Sequence, residues 1–292
     1  MKAIIKNSRV LPSIKSASAI GKIGKHIFIV SDNSNFLSLL NDKFELQEKL
    51  QLYESNSGIE EIPKPLKADL ECFLSFQYQD KEFVLLLGSG SFEEKRDSGF
   101  LLHINGSEKI ISKKISLTLL YNEFRKTSSI NMEGVIAQQD KILFFSRGNS
   151  SESNRIFSIV SEQFFEFLFQ QRTAFSGVSS YELTTPLINK TSTGVTEAFY
   201  ANVIFLTATA ERTHSSFDDG AIEGSMFLQM QSINEILSIK DYAVVEDAQG
   251  NTYKKKIEGV LVKNVKENQL TLWSVTDNDG GDSDLLEIEL TI

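Results

Sequence analysis

Apolar and polar positions follow one pattern that recurs five times along the chain. Each copy has a small residue, a short apolar strand, a polar turn, a stronger apolar strand and a polar cluster, as in "EGVIAQQDKILFFSRGN" from Glu133. Short apolar runs bounded by polar turns are typical of β-strands. The pattern therefore predicts an all-β fold made of repeated antiparallel strands.

The copies are about sixty residues long. Equivalent positions are assigned to the start of each copy, with spacings of 53, 62, 64 and 61 residues between Ser18, Glu71, Glu133, Glu197 and Glu258. Later strands follow in each copy, such as "NFLSLLN" in the first. Four strands make one blade of a β-propeller, and blades bury their faces by stacking on their neighbours. We expect residues 1–292 to form a single β-propeller domain, with five four-stranded blades.

The two ends of the chain carry complementary parts of this pattern. The fifth copy has only three strands, ending in "DLLEIELTI", whereas "AIIKNSRVL" precedes the first copy without a partner strand. We predict that Ala3 to Leu11 forms the outer strand of the last blade and closes the ring.

Two stretches depart from the strand pattern. "SLTLLYNEFRK", with Leu117, Leu120 and Phe124, and "SEQFFEFLFQQ", from Ser161 to Gln171, have apolar residues at three- and four-residue spacing. This spacing predicts short helical insertions that pack their aromatic side chains against the sheets. The segment from Ser161 to Lys190 also leaves open a sixth, degenerate blade.

Composition narrows the classes of partner. Thirty Lys and Arg against 39 Asp and Glu give a net charge of -9, which disfavours binding to nucleic acid and to anionic membranes. The basic run from Lys254 to Lys256 is interpreted as a solvated strand edge. No apolar segment is long enough to span a bilayer, and "MKAIIKNSRVLPS" does not resemble a signal peptide. As given, we expect a cytoplasmic monomer; export stays open if a leader was removed.

The sequence contains few candidate nucleophiles and catalytic bases. Cys72 is the only cysteine, which excludes an intrachain disulfide and is interpreted as a buried thiol. The three histidines, His26, His103 and His214, have neither the spacing of metal ligands nor the signature of a cysteine hydrolase. There is no G-x-S-x-G motif and no phosphate-binding loop. Nucleophilic catalysis is therefore not indicated.

The recurring carboxylates are the first candidate site. In a propeller the first strand of each blade lines the channel, so we expect four glutamates at one end of it: Glu71, Glu133, Glu197 and Glu258. Neighbouring carboxylates repel one another, and three arrangements would relieve this: a hard metal ion such as Ca²⁺ or Mg²⁺, an arginine, or backbone N–H groups. "DNDGGDSD", from Asp277, lacks the spacing of an EF-hand. All three arrangements remain open.

Polar clusters after the stronger strands are the second candidate site. If these strand ends surround the channel mouth, a ligand-binding set results: Asp32, Arg96, Arg147, Asn149, Glu211, Arg212 and Asp277. Arginine binds carboxylate or phosphate groups through two parallel hydrogen bonds. The mouth is therefore predicted to recognise a small polar ligand.

Several motifs together resemble those of bacterial SdiA-regulated and phytase-like (esterase-like) β-propellers, and in particular an uncharacterised branch of that family. They are "VLPSIKSASAI", "VSDNSNFL", "KADLECF", "LLLGSGS", "INMEGVIA", "FSRGN" and "KIEGVLV" with "LWSVTDNDGGDSDLLEIEL". The resemblance extends over the whole chain and implies a β-propeller. The first copy departs from the pattern, because Ser18 stands where the other copies have an acid.

Three functions are consistent with these observations. The first is a binding protein that takes a small polar ligand or a protein partner at the channel mouth. The second is a metal-dependent hydrolase of phosphoesters or esters, in which Glu71, Glu133 and Glu258 hold the ion and Arg96 or Arg147 stabilises negative charge. The third is a scaffold whose glutamates only join the blades.

Overall fold

Apolar runs rich in Val, Ile, Leu and Phe form the strands of this protein, because such side chains fit a half-buried pleated surface. The computed structural model describes residues 1–52, 61–105, 109–149, 151–170, 174–212, 220–233, 236–278 and 281–292. Within these ranges the fold is all-β, with two short helices. Neither of these helices is long and apolar enough to cross a membrane.

The chain begins with β1 (Lys2–Lys15) and then forms two sheets of four strands in sequential order. The first of these sheets consists of β2 (Ala17–Ile23), β3 (His26–Ser31), β4 (Phe36–Leu40) and β5 (Leu46–Gln51). The second consists of β6 (Leu70–Tyr78), β7 (Lys81–Gly88), β8 (Ser98–Ile104) and β9 (Ile110–Ser116). The neighbouring pairs from β3 to β5 and from β6 to β9 are antiparallel, as the repeated pattern predicted.

Along the chain, one predicted helix precedes three strands of the next sheet and the other follows them. Helix α1 (Thr118–Arg125) comes first and is followed by β10 (Met132–Gln138), β11 (Lys141–Ser146) and β12 (Asn154–Val160). Helix α2 (Ser161–Gln170) then leads to β13 (Ser179–Leu183), the fourth strand of this sheet. Gln171, the last residue of the second predicted helix, lies outside the described ranges.

The remaining strands belong to one eight-stranded sheet, with the order β14-β15-β16-β17-β1-β20-β19-β18. These strands are β14 (Thr193–Ala201), β15 (Val203–Arg212), β16 (Ala221–Ile233), β17 (Ile236–Glu246), β18 (Lys256–Lys266), β19 (Gln269–Asp277) and β20 (Asp282–Thr291). The sequence predicted two separate groups of four. They are joined because Ala3 and Ile4 of β1 pair in parallel with Val245 and Glu246 of β17.

The N-terminal strand is the outer strand of the group β18-β19-β20-β1. It pairs antiparallel with β20, from Lys2 opposite Thr291 to Lys15 opposite Asp282. The predicted pairing of Ala3 to Leu11 with the C-terminal strands is therefore confirmed. The first residues of the chain complete a sheet whose other strands lie more than 240 residues later.

The chain divides into two compact units. Unit 1 comprises Met1–Ala17, Phe145–Ile156 and Tyr181–Ile292, and unit 2 comprises Ser18–Phe144 and Phe157–Ser180. In unit 2, helix α1 buries Leu120, Tyr121 and Phe124 in an apolar cluster that also holds Phe164 of helix α2. The ring of Phe124 stacks on Phe157, with centroids 4.5 Å apart. Each such buried aromatic side chain contributes about 1.5–3 kcal/mol.

Unit 1 has its own apolar core between its strands. Its members include Phe199, Phe205 and Phe227, with the Phe199 and Phe205 rings stacked at 5.4 Å. Ala3 of β1 is fully buried in the same core. Strand β1 is therefore held by side-chain burial as well as by the hydrogen bonds of the sheet.

Candidate functional site

Two of the recurring glutamates lie at β-bulges in the first strand of their sheets. The pairing of β6 with β7 passes from Leu70 opposite Gly88 to Cys72 opposite Leu87, which leaves Glu71 as the extra residue. In β18 the pairing passes over Glu258 in the same way. A bulge bends the strand and redirects the side chain of the extra residue. Glu71 and Glu258 therefore occupy equivalent positions, as predicted.

Strand β14 differs by one residue from this prediction. Its pairing passes from Val195 opposite Ala208 to Glu197 opposite Thr207, so Thr196 is the extra residue of the bulge. The equivalence assigned to Glu197 is therefore one residue too far along the chain. The alternating pattern does not reveal the shift, because Thr196 and Glu197 are both buried and a bulge interrupts the alternation.

Hydroxyl groups near these bulges reach the next group of four strands in the same unit. Ser18 Oγ donates a hydrogen bond to the carbonyl oxygen of Leu70 at 2.5 Å in unit 2. Thr196 Oγ1 donates to the carbonyl oxygen of Ile257 at 2.6 Å in unit 1. Each acceptor immediately precedes a bulge glutamate. Ser18 and Thr196 are therefore equivalent, and each joins its group of four strands to another such group in its unit.

Three of the four recurring glutamates have a close partner in their own strand or the segment before it. Glu133 Oε1 accepts a hydrogen bond from Asn131 Nδ2 at 2.7 Å, and Glu197 Oε1 accepts one from the backbone N–H of Ala198 at 2.7 Å. Glu258 forms an ion pair with Lys256. None of these three partners is one of the arginines suggested by the sequence.

The ion pairs of the strand ends also change the interpretation of the basic run from Lys254 to Lys256, which leads into β18. Lys256 pairs with Glu258, which is 1% exposed, and Lys255 pairs with Asp284. The interpretation of this run as a solvated strand edge is therefore wrong for Lys256, whereas the Lys255 side chain is 46% exposed and agrees with it. A lysine can keep its ammonium group near a buried carboxylate because its long apolar stem reaches inward along the strand.

A group of ionised side chains is buried at the strand ends of unit 2. We define this charge cluster as Asp32, Lys67, Asp69, Glu71 and Arg96. Carboxylate oxygens of Asp32, Asp69 and Glu71 lie within 4.8 Å of one another. The Lys67 ammonium forms ion pairs with Asp32 and with Asp69, the latter at 2.7 Å. Arg96 Nη1 lies 2.6 Å from Asp69 Oδ2.

Asp69 is the most constrained member of the charge cluster. Its carboxylate accepts a hydrogen bond from Ser89 Oγ at 2.5 Å and a longer one from Ser91 Oγ at 3.3 Å. Its backbone has a φ of 58°, in the left-handed region. Asp is one of the few residues besides glycine that adopt this region readily. The side chain is 5% exposed. The fold therefore holds this acid in one orientation, directly before β6.

The electrostatic balance of the charge cluster keeps Lys67 and Asp69 ionised. Burial alone would lower the pKa of Lys67, but the carboxylates of Asp32, Glu71 and Asp69 outweigh burial and raise that pKa above its ordinary value. Burial would likewise raise the pKa of Asp69, but Lys67 and Arg96 hold it below its ordinary value. Lys67 is therefore a permanent cation and Asp69 a permanent anion at neutral pH.

The neighbouring glutamate extends the acidic side of the charge cluster. Carboxylate oxygens of Glu71 and Glu133 lie within 4.8 Å of each other in unit 2, and Glu133 is 2% exposed. The backbone N–H of Met132 donates to the carbonyl oxygen of Ser89 at 2.7 Å, which fixes the start of β10 beside the end of β7. Oxygen donors of this kind are suited to Ca²⁺ or Mg²⁺.

The polar residues predicted for unit 1 form separate pairs. Arg147 Nη2 lies 2.5 Å from Glu211 Oε2, and Glu211 also accepts the backbone N–H of Gly220 at 2.7 Å. The Arg147 side chain crosses Gly194, where an added Cβ would lie 2.7 Å from Arg147 Cγ. Arg212 is exposed and pairs with Glu223 at 2.7 Å. A residue larger than glycine at position 194 would displace Arg147.

Two further predicted ligand-binding residues have local roles. Asn149 Oδ1 accepts the backbone N–H groups of Ser151 and Glu152, which closes the turn between β11 and β12. Asp277 ends β19 and lies opposite Lys256 in the sheet register. Cys72 is buried, as predicted. His214 lies outside the described residues.

The sequence analysis missed Lys67, Asp69, Ser89 and Ser91 as site residues. The signal for the first two was present in "KADLE", where three charged residues immediately precede or begin an apolar strand. The two serines lie in "GSGS", which the strand pattern explained as a turn. The residues meet because β6 begins beside the end of β7, a proximity that depends on strand pairing.

Comparison with solved structures shows the fold. The chain resembles the glutaminyl cyclase of Myxococcus xanthus with a TM-score of 0.52 and 11% identity, over 99% of this chain and 97% of that one. It also resembles virginiamycin B lyase from Staphylococcus aureus with a TM-score of 0.44 and 11% identity, over 99% of each chain. Both proteins are β-propeller-like. At such low identity the first similarity shows a propeller-like fold and no more.

Sequence comparison supplies the family. No curated protein matches the chain. The comparisons give no support for the SdiA-regulated or phytase-like family that the motifs resembled. One family model matches residues 13–290, nearly the whole length of the propeller-like fold. The chain therefore belongs to the family of unknown function DUF6929.

Proposed function

We propose that this protein is a binding protein that takes a small polar ligand at the charge cluster of unit 2. The observation that carries the proposal is the convergence at the ends of strands of four buried charged side chains, Lys67, Asp69, Glu71 and Arg96, with the partly buried Asp32. Ligand sites of proteins commonly combine a few convergent polar groups with an apolar scaffold.

The charge cluster is a costly way to stabilise a fold. Each buried ion loses several kcal/mol of hydration, and a buried ion pair is often no more stabilising than apolar side chains of the same volume. Buried charge of this kind concentrates at functional sites. This supports a role in binding over a purely structural one.

The charges of the cluster favour a particular class of ligand. Three carboxylates accompany two cations, and Glu133 adds a further acid beside Glu71. The excess of acceptor oxygens favours a ligand that donates hydrogen bonds, such as a polyol, a sugar or an amine. In unit 1, Arg147 and Glu211 are proposed as a separate polar surface with both signs of charge.

We also propose that the groups of four strands are five blades of a single domain spanning residues 1–292. The propeller-like fold and the sequential order of the four-stranded groups support this proposal. The pairing of β1 with β20 would then close the ring.

A ligand screen tests the binding function. The wild-type protein is expected to show a rise in melting temperature with at least one member of a panel of sugars, polyols, amines and phosphorylated metabolites. Asp32→Asn should weaken that binding by about ten-fold or more, as expected when one charged hydrogen-bonding partner is lost. Glu287→Gln, which changes an exposed pair with Lys263, is the matched control and should leave it unchanged.

Binding that is equally strong in Asp32→Asn and Glu287→Gln would place the ligand outside the charge cluster. If no compound in the panel binds, and Glu133→Gln lowers the melting temperature, the acids are better explained as contacts that hold the sheets together.

The second candidate is a metal-dependent hydrolase of esters or phosphoesters. The specific observation in its favour is the short distance between the Glu71 and Glu133 carboxylates in a setting of oxygen donors. A Ca²⁺ or Mg²⁺ ion would supply Lewis-acid activation of water. Glu71 and Glu133 would hold it, and Arg96 would stabilise developing negative charge. Ester and phosphoester assays with Ca²⁺, Mg²⁺ and Mn²⁺ test this, with Glu133→Gln as the inactive control.

A further inference from the structure

The ammonium group of Lys67 lies where the carboxylates of the charge cluster converge. It forms ion pairs with both Asp32 and Asp69, and its side chain is 9% exposed. We infer that Lys67 is the resident cation of this group of acids and determines that it binds no divalent metal ion in the wild-type protein. This inference rests on the proposed function, because both concern the charge cluster.

The spacing of the acids would otherwise suit a metal ion. Carboxylate oxygens of Asp32, Asp69 and Glu71 lie within 4.8 Å of one another. Calcium binds oxygen ligands at about 2.3–2.6 Å, so two opposed ligand oxygens lie about 5 Å apart. The gap between these acids is therefore of the size that a hard cation requires. In this protein the gap is occupied by an ammonium group of the chain itself.

Lys67 is held in this position from several directions. The backbone N–H of Lys67 donates to the carbonyl oxygen of Pro63 at 3.2 Å. Arg96 binds the second oxygen of Asp69 and also donates to the carbonyl oxygen of Lys64 at 3.2 Å. The segment that carries Lys67 is thus tied to the same acid that Lys67 contacts. The ammonium cannot leave without breaking its ion pairs with Asp32 and Asp69.

A divalent cation that entered the charge cluster would be repelled by the ammonium group of Lys67. The surrounding acids favour the protonated form of Lys67, so the repulsion is not relieved by loss of its proton at neutral pH. The ligand of the wild-type cluster must then bind through hydrogen bonds instead of through metal coordination. This narrows the proposed ligand class to organic molecules.

The test replaces Lys67 by an apolar side chain of similar length. Lys67→Met should bind Ca²⁺ or Mn²⁺ at least about ten-fold more tightly than the wild-type protein, because Asp32 and Asp69 lose the ammonium that lies between them. Calorimetry with the metal alone measures the affinity. Adding Asp32→Asn to Lys67→Met should abolish the gain, whereas adding Glu133→Gln should not. Lys67→Arg keeps the charge and should behave as the wild-type protein does.

Equal metal affinity in Lys67→Met and the wild-type protein would overturn the inference. A measurement on the wild-type background remains decisive if Lys67→Met does not fold: Tb³⁺ luminescence should be the same in the wild-type protein and in Asp32→Asn. A loss of Tb³⁺ affinity in Asp32→Asn would show that a metal ion binds despite Lys67, and the inference would be wrong. Failure of the organic-ligand screen would count against the proposed function alone.

Discussion

Thr196 Oγ1 donates a hydrogen bond of 2.6 Å to the carbonyl oxygen of Ile257. Thr196 is the extra residue in the bulge of β14, and Ile257 immediately precedes the bulge glutamate of β18. Because this donor is used, the 2.9 Å contact between Thr196 and Thr207 leaves Thr207 as the donor there. All of these groups are buried, so the chain of hydroxyls joins the two ends of the eight-stranded sheet of unit 1 through direct hydrogen bonds.

Replacing Thr196 by valine should therefore destabilise the protein. The change keeps the shape of the side chain but leaves a buried carbonyl oxygen without its donor, at a cost of about 1–2 kcal/mol. Urea unfolding of the variant measures the loss, with the exposed Thr291→Val as control. Equal unfolding free energies in the two variants would mean that the contact does not contribute.

Acid should weaken the protein through Asp69. Lys67 and Arg96, opposed by burial, hold the pKa of Asp69 below its ordinary value in the folded state. The resulting stabilisation is present above the unfolded pKa of about 4 and is lost as pH falls toward the lower folded pKa. Asp69→Asn, which tolerates the same left-handed backbone, should remove this part of the pH dependence.

Urea unfolding at pH 7, 5, 4 and 3 tests the role of Asp69. At pH 7 the variant should be about 3–5 kcal/mol less stable, because two buried cations lose their partner. The difference from the wild-type protein should shrink toward pH 3. A difference that stays constant with pH would show that Asp69 is not the acid responsible. Asp42→Asn, at an exposed position, is the control.

Arg125 should not be replaceable by lysine. Its guanidinium contacts Asp97 through two nitrogens, at 2.7 and 2.5 Å, and donates to the carbonyl oxygen of Gly90 at 2.7 Å. An ammonium group cannot reproduce this planar set of contacts. Arg125→Lys is expected to lower the unfolding free energy by about 1–3 kcal/mol. Lys126→Gln, which changes the adjacent exposed pair with Glu123, should have little effect.

Alkaline pH should reveal the buried phenol of Tyr121. Burial raises the pKa of Tyr121 well above its ordinary value, and its hydroxyl donates to the carbonyl oxygen of Gly88 at 2.5 Å. The neutral form is thus favoured by folding, so stability is lost as pH rises above the unfolded pKa of about 10. Absorbance at 295 nm should show Tyr121 ionising only on unfolding. Tyr121→Phe should reduce the rise in absorbance on unfolding by the amount expected for one tyrosine. An unchanged rise would show that Tyr121 is not the residue that ionises on unfolding.

The strand content followed from the sequence because it depends on local alternation of apolar and polar residues. The same applies to both helices and to the pairing of Ala3 to Leu11, for which a missing strand and a surplus strand were visible. Glu197 was misplaced because a bulge inserts one residue without changing which side chains are buried.

The charge cluster was only partly predictable for a different reason. Asp32 and Arg96 were found because they follow strong strands, but Lys67 and Asp69 lie before a strand and meet them only through the fold. Lys256 was misinterpreted for a related reason. A lysine in a basic run resembles any exposed lysine until the carboxylate of Glu258 is placed beside it.

The pairing of β1 with β20 imposes an order on biosynthesis. A ribosome makes Lys2–Lys15 more than 260 residues before Asp282–Thr291. At about 5–20 residues per second, the first strand waits roughly 15–60 s for its partner. Throughout that interval Ala3 and Ile5, both buried in the finished protein, are exposed to water and to other chains. The sheet that contains the earliest residues is therefore among the last parts of the nascent protein to form.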